Sequence, residues 1–383
     1  MFMPSPVAIR DAESLADGGN LTRAAELCEL MMSEDRIGGV LATRANAMLG
    51  YPRVIQTEDR TVRDTPTTTA LKEDVGHIFV ETELGHLMRW GFLLGVGVAQ
   101  LRWQMVNARL VPWLEVWHPK HLSWDSREHA WFIETVEGKQ RLDAGDGRWV
   151  LFTPYGERYP WQRGVWRGLS RWWLLKHYAI TDWARYSERH GAGTWVGTAP
   201  QMSTLDDRQE LANDLDALGE TRAISLPPGF DVKLVESFAN TFETFSRQIQ
   251  MANIATAVAL LGQNLTTEID GGSFAAASAH EVVRQDIAEF DEEAVATMLR
   301  RQVLAWWTRF NFSPETPAPW HRWDTTPPED AKVQAELAKL KSEALEEFAR
   351  AVSTLRRSKV DFDVYELAER FGIPLVRTAH DVT

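Results

Sequence analysis

Apolar residues recur every three or four positions in several long stretches of the chain, which is the spacing of a helix with one buried face. The clearest stretch is 238–262, where Phe245, Ile249, Ala252 and Leu261 belong to a wide apolar stripe. Glycines at 191 and 193 follow another such stretch and predict its end, because glycine is favoured just past the last turn of a helix. The same spacing predicts helices over 20–48, 72–95, 164–190, 205–218, 273–310, 329–359 and 364–371.

Between residues 96 and 155 the apolar period shortens to two, which predicts a small antiparallel sheet. Strands are expected over 98–105 and 110–116, joined by a turn at Asn107, Ala108 and Arg109, and again over 130–136 and 148–152. Residues 49–70 are expected to be loop or strand, and the proline-rich stretch 313–328 a linker.

A second strand-containing stretch lies between the predicted helices 164–190 and 238–262. Strands are expected over 194–198, 223–226 and 232–235, and Ser203 is expected to cap the helix over 205–218. The sequence therefore predicts a β-α-β-β insert between two long helices.

The charge balance narrows the classes of function. The chain has 383 residues with 41 Lys and Arg against 54 Asp and Glu, a net charge of −13. A conventional nucleic-acid binder needs cationic side chains to neutralise phosphates, so the acidic balance argues against that class but not against a protein that DNA passes without sticking. The longest apolar runs, 91–101 and 254–262, are shorter than the roughly 20 residues of a membrane span.

Cysteine and tryptophan usage bear on the core. The single cysteine, Cys28, excludes a disulfide framework and a zinc site of several cysteines, and its helical surroundings indicate a structural role. Seventeen tryptophans are many for this length. They favour either large contacts between subunits or a tryptophan-rich core, and the sequence leaves both open.

The chain shows no coherent catalytic motif. It has no phosphate-binding loop, no Gly-x-Ser-x-Gly elbow and no His-Glu-x-x-His helix. One alternative is a metal-dependent nuclease or hydrolase that uses His118, His121 and Asp125, although these side chains also suit a packed loop.

Charged clusters have two interpretations each. The acidic runs at 206–207 and 291–293 could bind Mg²⁺ or lie on solvated helix faces, and the solvated interpretation is favoured because neighbouring helical residues point about 100° apart. Arg167, Arg171 and Lys176 along one helix could contact phosphates or pair with acids on a neighbouring element, which is the preferred prediction.

One stretch combines a short polar loop, a Gly-Ser step and a helix that carries a histidine, an arginine and an aspartate. It consists of Leu260, Leu261, Gly262, Gln263, Asn264, Leu265, Thr266, Thr267 and Glu268, then Gly271, Gly272 and Ser273, then His280, Val283, Arg284 and Asp286. This pattern resembles the signature of the Mu-like phage portal protein family. Segments within 19–44, 163–191 and 366–374 resemble the same family in the same order along the chain.

The resemblance implies an α+β portal subunit with a small antiparallel β wing, two long stem helices, a β-α-β-β clip insert, a long wing helix and a C-terminal helical crown. The implied divisions are the wing 1–163, first stem helix 164–190, clip 191–236, second stem helix 237–262, channel loop and long wing helix 263–312, and linker and crown 313–383.

The resemblance also implies a structural function without catalysis or cofactor. Portals form a ring, typically of twelve copies, at one vertex of the capsid, and double-stranded DNA is packaged and ejected through it. The implied partners are further copies of the chain, DNA without sequence preference, the terminase large subunit, capsid and scaffolding proteins and a head–tail adaptor, with no membrane. The implied location is the virion, after assembly in the cytoplasm of the bacterial host.

The family's architecture indicates two sets of site residues. The expected channel-lining residues are Gln263, Asn264, Thr266, Thr267 and Glu268, and the expected clip residues facing the motor are Asp206, Asp207, Glu210 and Asp214. A head–tail adaptor without a channel is a further alternative, but such proteins are usually shorter and the insert between two long helices fits them poorly.

Overall fold

A computed structural model of the chain describes residues 5–78, 81–190, 194–217, 228–235, 241–263 and 274–326, together with scattered positions between 346 and 357. The chain divides into two units, Met1–Thr325 and Thr326–Thr383. Apart from Thr326, the second unit is described only at helical positions, where Arg350 and Glu346 form an ion pair one turn apart. All other elements belong to the first unit.

The described part of the first unit contains ten α-helices and ten strands, besides two single-turn 3-10 helices and one π-helical segment. The helices are α1 Pro6–Asp17, α2 Thr22–Met32, α3 Asp35–Leu49, α4 Pro66–Ile78, α5 Glu81–Leu94, α6 Trp166–His190, α7 Leu205–Ala217, α8 Thr241–Leu261, α9 Phe274–Leu299 and α10 Ala305–Asn311. The strands are β1 Arg53–Gln56, β2 Gly97–Val106, β3 Arg109–Trp117, β4 Leu122–Asp125, β5 Ala130–Thr135, β6 Gly138–Leu142, β7 Trp149–Phe152, β8 Thr194–Thr198, β9 Asp231–Val235 and β10 Trp320–Trp323. No helix of the described residues is long and apolar enough to cross a membrane.

The N-terminal helices are more numerous than the pattern predicts. The stretch 20–48 forms two helices, because Glu34 turns the chain and accepts the backbone N–H of Ile37 as the cap of α3. The stretch 49–70 is also partly helical, since α4 begins at Pro66, where Thr65 and Thr68 exchange hydrogen bonds between hydroxyl and backbone N–H groups. Proline is favoured at the first helical position, a signal that the prediction of loop or strand missed.

Two three-stranded antiparallel sheets form the β region. The first has the order β3-β2-β7, and its hairpin turns at Asn107 and Ala108, both with positive φ, as the sequence predicts. The second has the order β4-β5-β6, of which only β5 was predicted. The strands β4 and β6 are short and partly exposed, which weakens their apolar alternation.

The strands β1 and β10, which lie near opposite ends of the first unit in sequence, pair in a two-stranded antiparallel sheet. Its second strand falls inside the stretch predicted to be a linker, so that prediction is wrong for Trp320–Trp323. Pairing partners more than 250 residues apart leave no local signal in the sequence. The proline-rich flanks of β10 dominate the pattern instead.

The stretch predicted as one helix over 273–310 is continuous but not uniform. A π-helical segment, Arg300–Leu304, separates α9 from α10. At its centre the side-chain amide of Gln302 accepts the N–H of Leu151 at 2.8 Å and donates to the carbonyl of the same residue at 2.9 Å. The helix is therefore fixed to the outer edge of β7 by one side chain.

Most tryptophans for which burial is described lie inside the subunit. Trp149, Trp161, Trp166 and Trp307 are at most 1% exposed. Trp161 also takes part in edge-to-face contacts with Trp131 and Tyr159 at centroid distances of 5.2 and 5.6 Å. The tryptophan-rich core is thus the main reason for the high count, while Trp113 and Trp183 remain more than a third exposed.

The junction between α5 and α6 brings backbone segments into close contact. A Cβ atom added at Gly164 would lie 2.3 Å from the carbonyl oxygen of Leu94, and Gly95 next to it has a φ of +96°. Gly168, one turn further into α6, has nothing within 4 Å of the same position.

We expect Gly164→Ala to lower the free energy of unfolding by about 2–3 kcal/mol, since backbone must move to admit the methyl group. Gly168→Ala is the matched control and should raise it by roughly 0.5–1 kcal/mol, because alanine loses less backbone entropy in a helix. Thermal unfolding followed by circular dichroism checks both. Equal effects of the two substitutions would contradict this account of the junction.

Candidate functional site

The helices α6 and α8 pack together as a pair, and the chain between them forms a small insert, 194–235. Tyr186 of α6 contacts Phe245 of α8 with ring centroids 6.2 Å apart. In the insert, β8 and β9 are antiparallel partners, with Thr194 opposite Val235. This pairing returns the chain to the place where it left α6, so the two helices run antiparallel.

The insert confirms the predicted order of strand, helix and strand where it is described. The predicted strand over 223–226 lies outside the described residues. The helix α7 is capped by Thr204 rather than by Ser203, since Thr204 and Asp207 each accept the other's backbone N–H, at 3.2 and 2.9 Å. This reciprocal arrangement satisfies backbone donors that a helix start leaves unpaired.

One face of α7 packs on β8 and the rest is solvated. Leu211 is buried, and a Cβ atom at Gly197 of β8 would lie 2.7 Å from its Cδ2. The four acids predicted for the clip are all exposed, namely Asp206, Asp207, Glu210 and Asp214. The hydrogen bonds from Thr204 lower the pKa of Asp207, so its charge persists in mild acid.

The predicted channel-lining residues begin where α8 ends. Gln263 is 7% exposed, two residues past the last residue of the helix. The other four, Asn264, Thr266, Thr267 and Glu268, lie outside the described residues. The structure therefore describes the two helices that flank this loop rather than the loop itself.

A buried ion pair joins both flanking helices to α3. The guanidinium of Arg44 contacts both carboxylate oxygens of Asp291 on α9, at 2.7 and 2.8 Å. Its remaining terminal nitrogen donates to the carbonyl oxygen of Leu260, in the last turn of α8, at 2.9 Å. The guanidinium also lies 4.3 Å from the ring centroid of Phe92.

The electrostatics of this pair depend on its geometry. Desolvation by burial opposes the charge on Arg44, but the bidentate contact with Asp291 outweighs it and raises the pKa of the guanidinium. Sequence reasoning missed this pair. The available signal was a lone arginine inside the apolar stretch from Val40 to Met48, which requires a buried partner.

The prediction that the acidic run 291–293 lies on a solvated face is wrong for its first two members. Asp291 and Glu292 are at most 2% exposed. Glu292 contacts Arg322 of β10 through both carboxylate oxygens, and Glu293 accepts from Arg60 at 2.8 Å. These carboxylates hold separate elements together, which charge patterning along one helix does not reveal.

The three residues of the metal-site hypothesis have structural partners. His118 accepts the backbone N–H of Lys120 and packs against Trp90, and burial lowers the pKa of its imidazole. His121 packs edge-to-face against Trp117 with ring centroids 6.0 Å apart, and burial lowers the pKa of its imidazole. Asp125 accepts the backbone N–H groups of Arg127 and Glu128 in a turn. Among the residues that the structure describes, no group of three His, Cys, Asp or Glu side chains could hold a metal ion.

The basic residues of α6 pair with acids, as preferred from the sequence. Arg167 contacts Asp17 at 2.6 Å, and Arg171 lies 3.7 Å from Glu13. The largely buried Lys176 contacts both Glu34 and Asp35. These contacts fix the first half of α6 against α1 and the start of α3. The second half of α6 leads into the insert.

The family assignment rests on sequence. The profile of the family described as portal protein of Mu bacteriophage matches residues 25–373. This chain belongs to that family. The match covers the elements from α2 to α5, both three-stranded sheets, the helix pair and its insert, and the segment of the Leu-Gly-Gln signature, and it leaves out α1.

Individual relatives of this portal protein are distant. Mu-like prophage FluMu protein gp29 of Haemophilus influenzae is 26% identical over 318 residues, which cover 76% of this chain and 57% of that protein. The portal protein of Escherichia phage Mu is 26% identical over 147 residues, which cover 38% of this chain and 29% of that protein. The matched segments thus span less than two thirds of these relatives.

Solved structures share the fold of this portal protein. A chain in the neck of an empty gene transfer agent particle, computed with C6 symmetry, has a TM-score of 0.52 at 14% identity, over 96% of this chain and 95% of that one. A chain in the virion of the native particle has a TM-score of 0.50 at 14% identity, over 97% and 100%.

The Arg44–Asp291 pair generates a test on stability. We expect Arg44→Met to lower the free energy of unfolding by about 3–5 kcal/mol, because it leaves a buried carboxylate without its counter-charge. The double variant Arg44→Met with Asp291→Leu should lose less free energy of unfolding than Arg44→Met alone, because no charge of this pair then remains buried. Urea unfolding at a fixed protein concentration measures both.

The exposed ion pair between Arg102 and Glu115 provides the control. Arg102→Met should change stability by at most about 1 kcal/mol. The single variant Asp291→Leu completes the comparison. If the loss in free energy of unfolding of the double variant equalled the sum of the losses of the two single variants, the side chains of Arg44 and Asp291 would not act as a pair.

Proposed function

We propose that this portal protein forms a ring of twelve copies at one capsid vertex, and that double-stranded DNA is packaged and ejected through the ring. The observation that carries the proposal is the family match across residues 25–373. The shared fold with chains of the gene transfer agent neck supports it, because one reconstruction of that neck was computed with C12 symmetry.

The proposed parts of the subunit follow the described elements. The sheets and N-terminal helices form the wing within 1–163, α6 and α8 form the stem, and the insert 191–236 forms the clip. Residues 263–312 supply the channel loop and the long wing helix, and 313–383 a linker and crown, apart from the strand β10, which pairs with β1 of the wing. The loop residues Gln263, Asn264, Thr266, Thr267 and Glu268 line the channel at its constriction.

The charge of the chain suits passage of DNA. Twelve copies at −13 each carry a total of −156. A channel wall of the same sign as the phosphates repels the duplex and avoids strong contacts that would stall its movement. The basic residues of α6 that could have held phosphates are paired with acids instead.

The clip is proposed to dock first the terminase large subunit and then the head–tail connector proteins. The exposed acids of α7 supply a negative surface for a basic partner. The chain itself acts without catalysis, in keeping with a sequence that has no phosphate-binding loop. The energy for packaging comes from the terminase, and capsid and scaffolding proteins surround the ring.

The ring is tested on the purified protein. We expect negative-stain electron microscopy to show rings with a central hole, and mass photometry to give a mass near twelve times 43.5 kDa. Capsid and scaffolding proteins are added if the protein alone is monomeric. A chain that stays monomeric in their presence would contradict the proposed function.

The docking role of the clip is tested by charge reversal. We expect Glu210→Lys with Asp214→Lys to weaken binding of the terminase large subunit to rings at least tenfold, because two charges per subunit change sign in the docking surface. Asp207 is left intact because it caps α7. Surface plasmon resonance on immobilised rings measures the affinity.

The matched control reverses two exposed acids of the wing, Asp11→Lys with Glu128→Lys. It changes the net charge of the ring by the same amount and should leave terminase binding within about twofold. Equal weakening by both double variants would assign the effect to total charge rather than to the clip.

A further inference from the structure

The outer face of α8 carries an apolar stripe that no part of the chain described by the structure covers. Met251, Ile254 and Val258 are 57%, 38% and 48% exposed, and their spacing places them on one side of the helix. Ala252 and Leu260, on the side facing the rest of the subunit, are at most 2% exposed. The stripe therefore points away from α6.

The chain around this stripe has no charge. From Gln248 to Gln263 the sequence contains no Asp, Glu, Lys or Arg. A surface that binds phosphates needs cations, and a face that stays in water is usually polar. A neutral apolar stripe instead matches an equally neutral surface of another polypeptide.

A second uncovered patch lies on α6. Ile180 and Trp183 are 49% and 37% exposed and stand one turn apart on the same side of the helix. Tyr186, which contacts α8, lies on a different side. The patch is thus on a flank of the helix pair, whereas the stripe of α8 is on its outer face.

The two patches overlap in height along the pair at one end of the stripe, at Met251. Tyr186 is level with Phe245, and antiparallel helices advance by the same rise of about 1.5 Å per residue in opposite directions. Six residues from that contact, Ile180 is therefore level with Met251. Trp183, three residues closer to that contact, is level with Gln248, which lies one turn before Met251, the first residue of the stripe.

A closed ring requires two different patches on each subunit, one for each neighbour. The proposed ring takes the helix pair to lie along its axis, and rotation about that axis leaves height unchanged, so surfaces that meet must already be level within one subunit. We propose that the Met251 end of the stripe of one copy packs against Ile180 and Trp183 of the next copy in the ring. This inference rests on the proposed function, because it takes the second copy to be a ring neighbour.

The interface is tested by forming disulfides between chains. The wild-type chain is the background, since Cys28 is fully buried and burial raises the pKa of its thiol. Chains with Ile180→Cys are mixed with chains with Met251→Cys, assembled, and oxidised. Each chain then carries one accessible thiol, so a covalent dimer can arise only between two copies.

We expect the mixture to form covalent dimers, and either variant alone to form at least tenfold fewer. A chain with both substitutions should form a ladder of covalent oligomers that extends to the full ring. Two control mixtures keep one partner of the pair. In the first control, Ile180→Cys is mixed with Val258→Cys, which lies seven residues, about 10 Å, from Met251 along α8. In the second control, Met251→Cys is mixed with Tyr178→Cys, which lies on the opposite flank of α6.

Ring formation is checked on every sample before oxidation. Rings that give no more disulfide between 180 and 251 than the control mixtures would overturn the interface and leave the proposed ring standing. Protection of Met251→Cys from maleimide in such rings would show that another segment covers the stripe, and it would overturn the inference in the same way. Failure to form any ring would instead contradict the proposed function, and the interface with it.

Discussion

The contact between Arg44 and Asp291 is the constraint on which the arrangement of the long helices depends. One guanidinium ties α3 to the last turn of α8 and to the middle of α9, while Lys176 ties the start of α3 to α6. The helices α6, α8 and α9 are thereby fixed to a single element, α3. Because both charges are removed from water, the arrangement has little freedom to shift without leaving one charge unpaired.

Buried carboxylates that pair with an arginine of another element also join other parts of the subunit. Asp74 of α4 is fully buried, and it accepts from Arg109 at the β2–β3 hairpin and from the indole nitrogen of Trp307 on α10. Glu292 of α9 anchors Arg322 on β10. In each case an acid on a helix meets an arginine on a separate element.

Long elements with a regular period were predictable from the sequence, and contacts distant in sequence were not. The apolar stripe of α8 and the alternation in β2 and β3 give local signals, and both elements were placed to within a few residues. The strand β10 and the burial of Asp291 depend on partners that local patterns cannot reveal. For the candidate site, the pattern located the two flanking helices and the acids of α7, but the arginine that joins those helices gave only the weak signal of a lone charge in an apolar helix.

The contact of Gln302 with Leu151 has a consequence for how copies of this chain meet. The strand β7 lies at the edge of its sheet, and an unpaired edge is a template for adding a strand from another molecule. The glutamine amide occupies both backbone groups of Leu151 and so blocks that pairing at the centre of the strand. In the proposed ring, this one side chain keeps each sheet within its own subunit and leaves association to the helices.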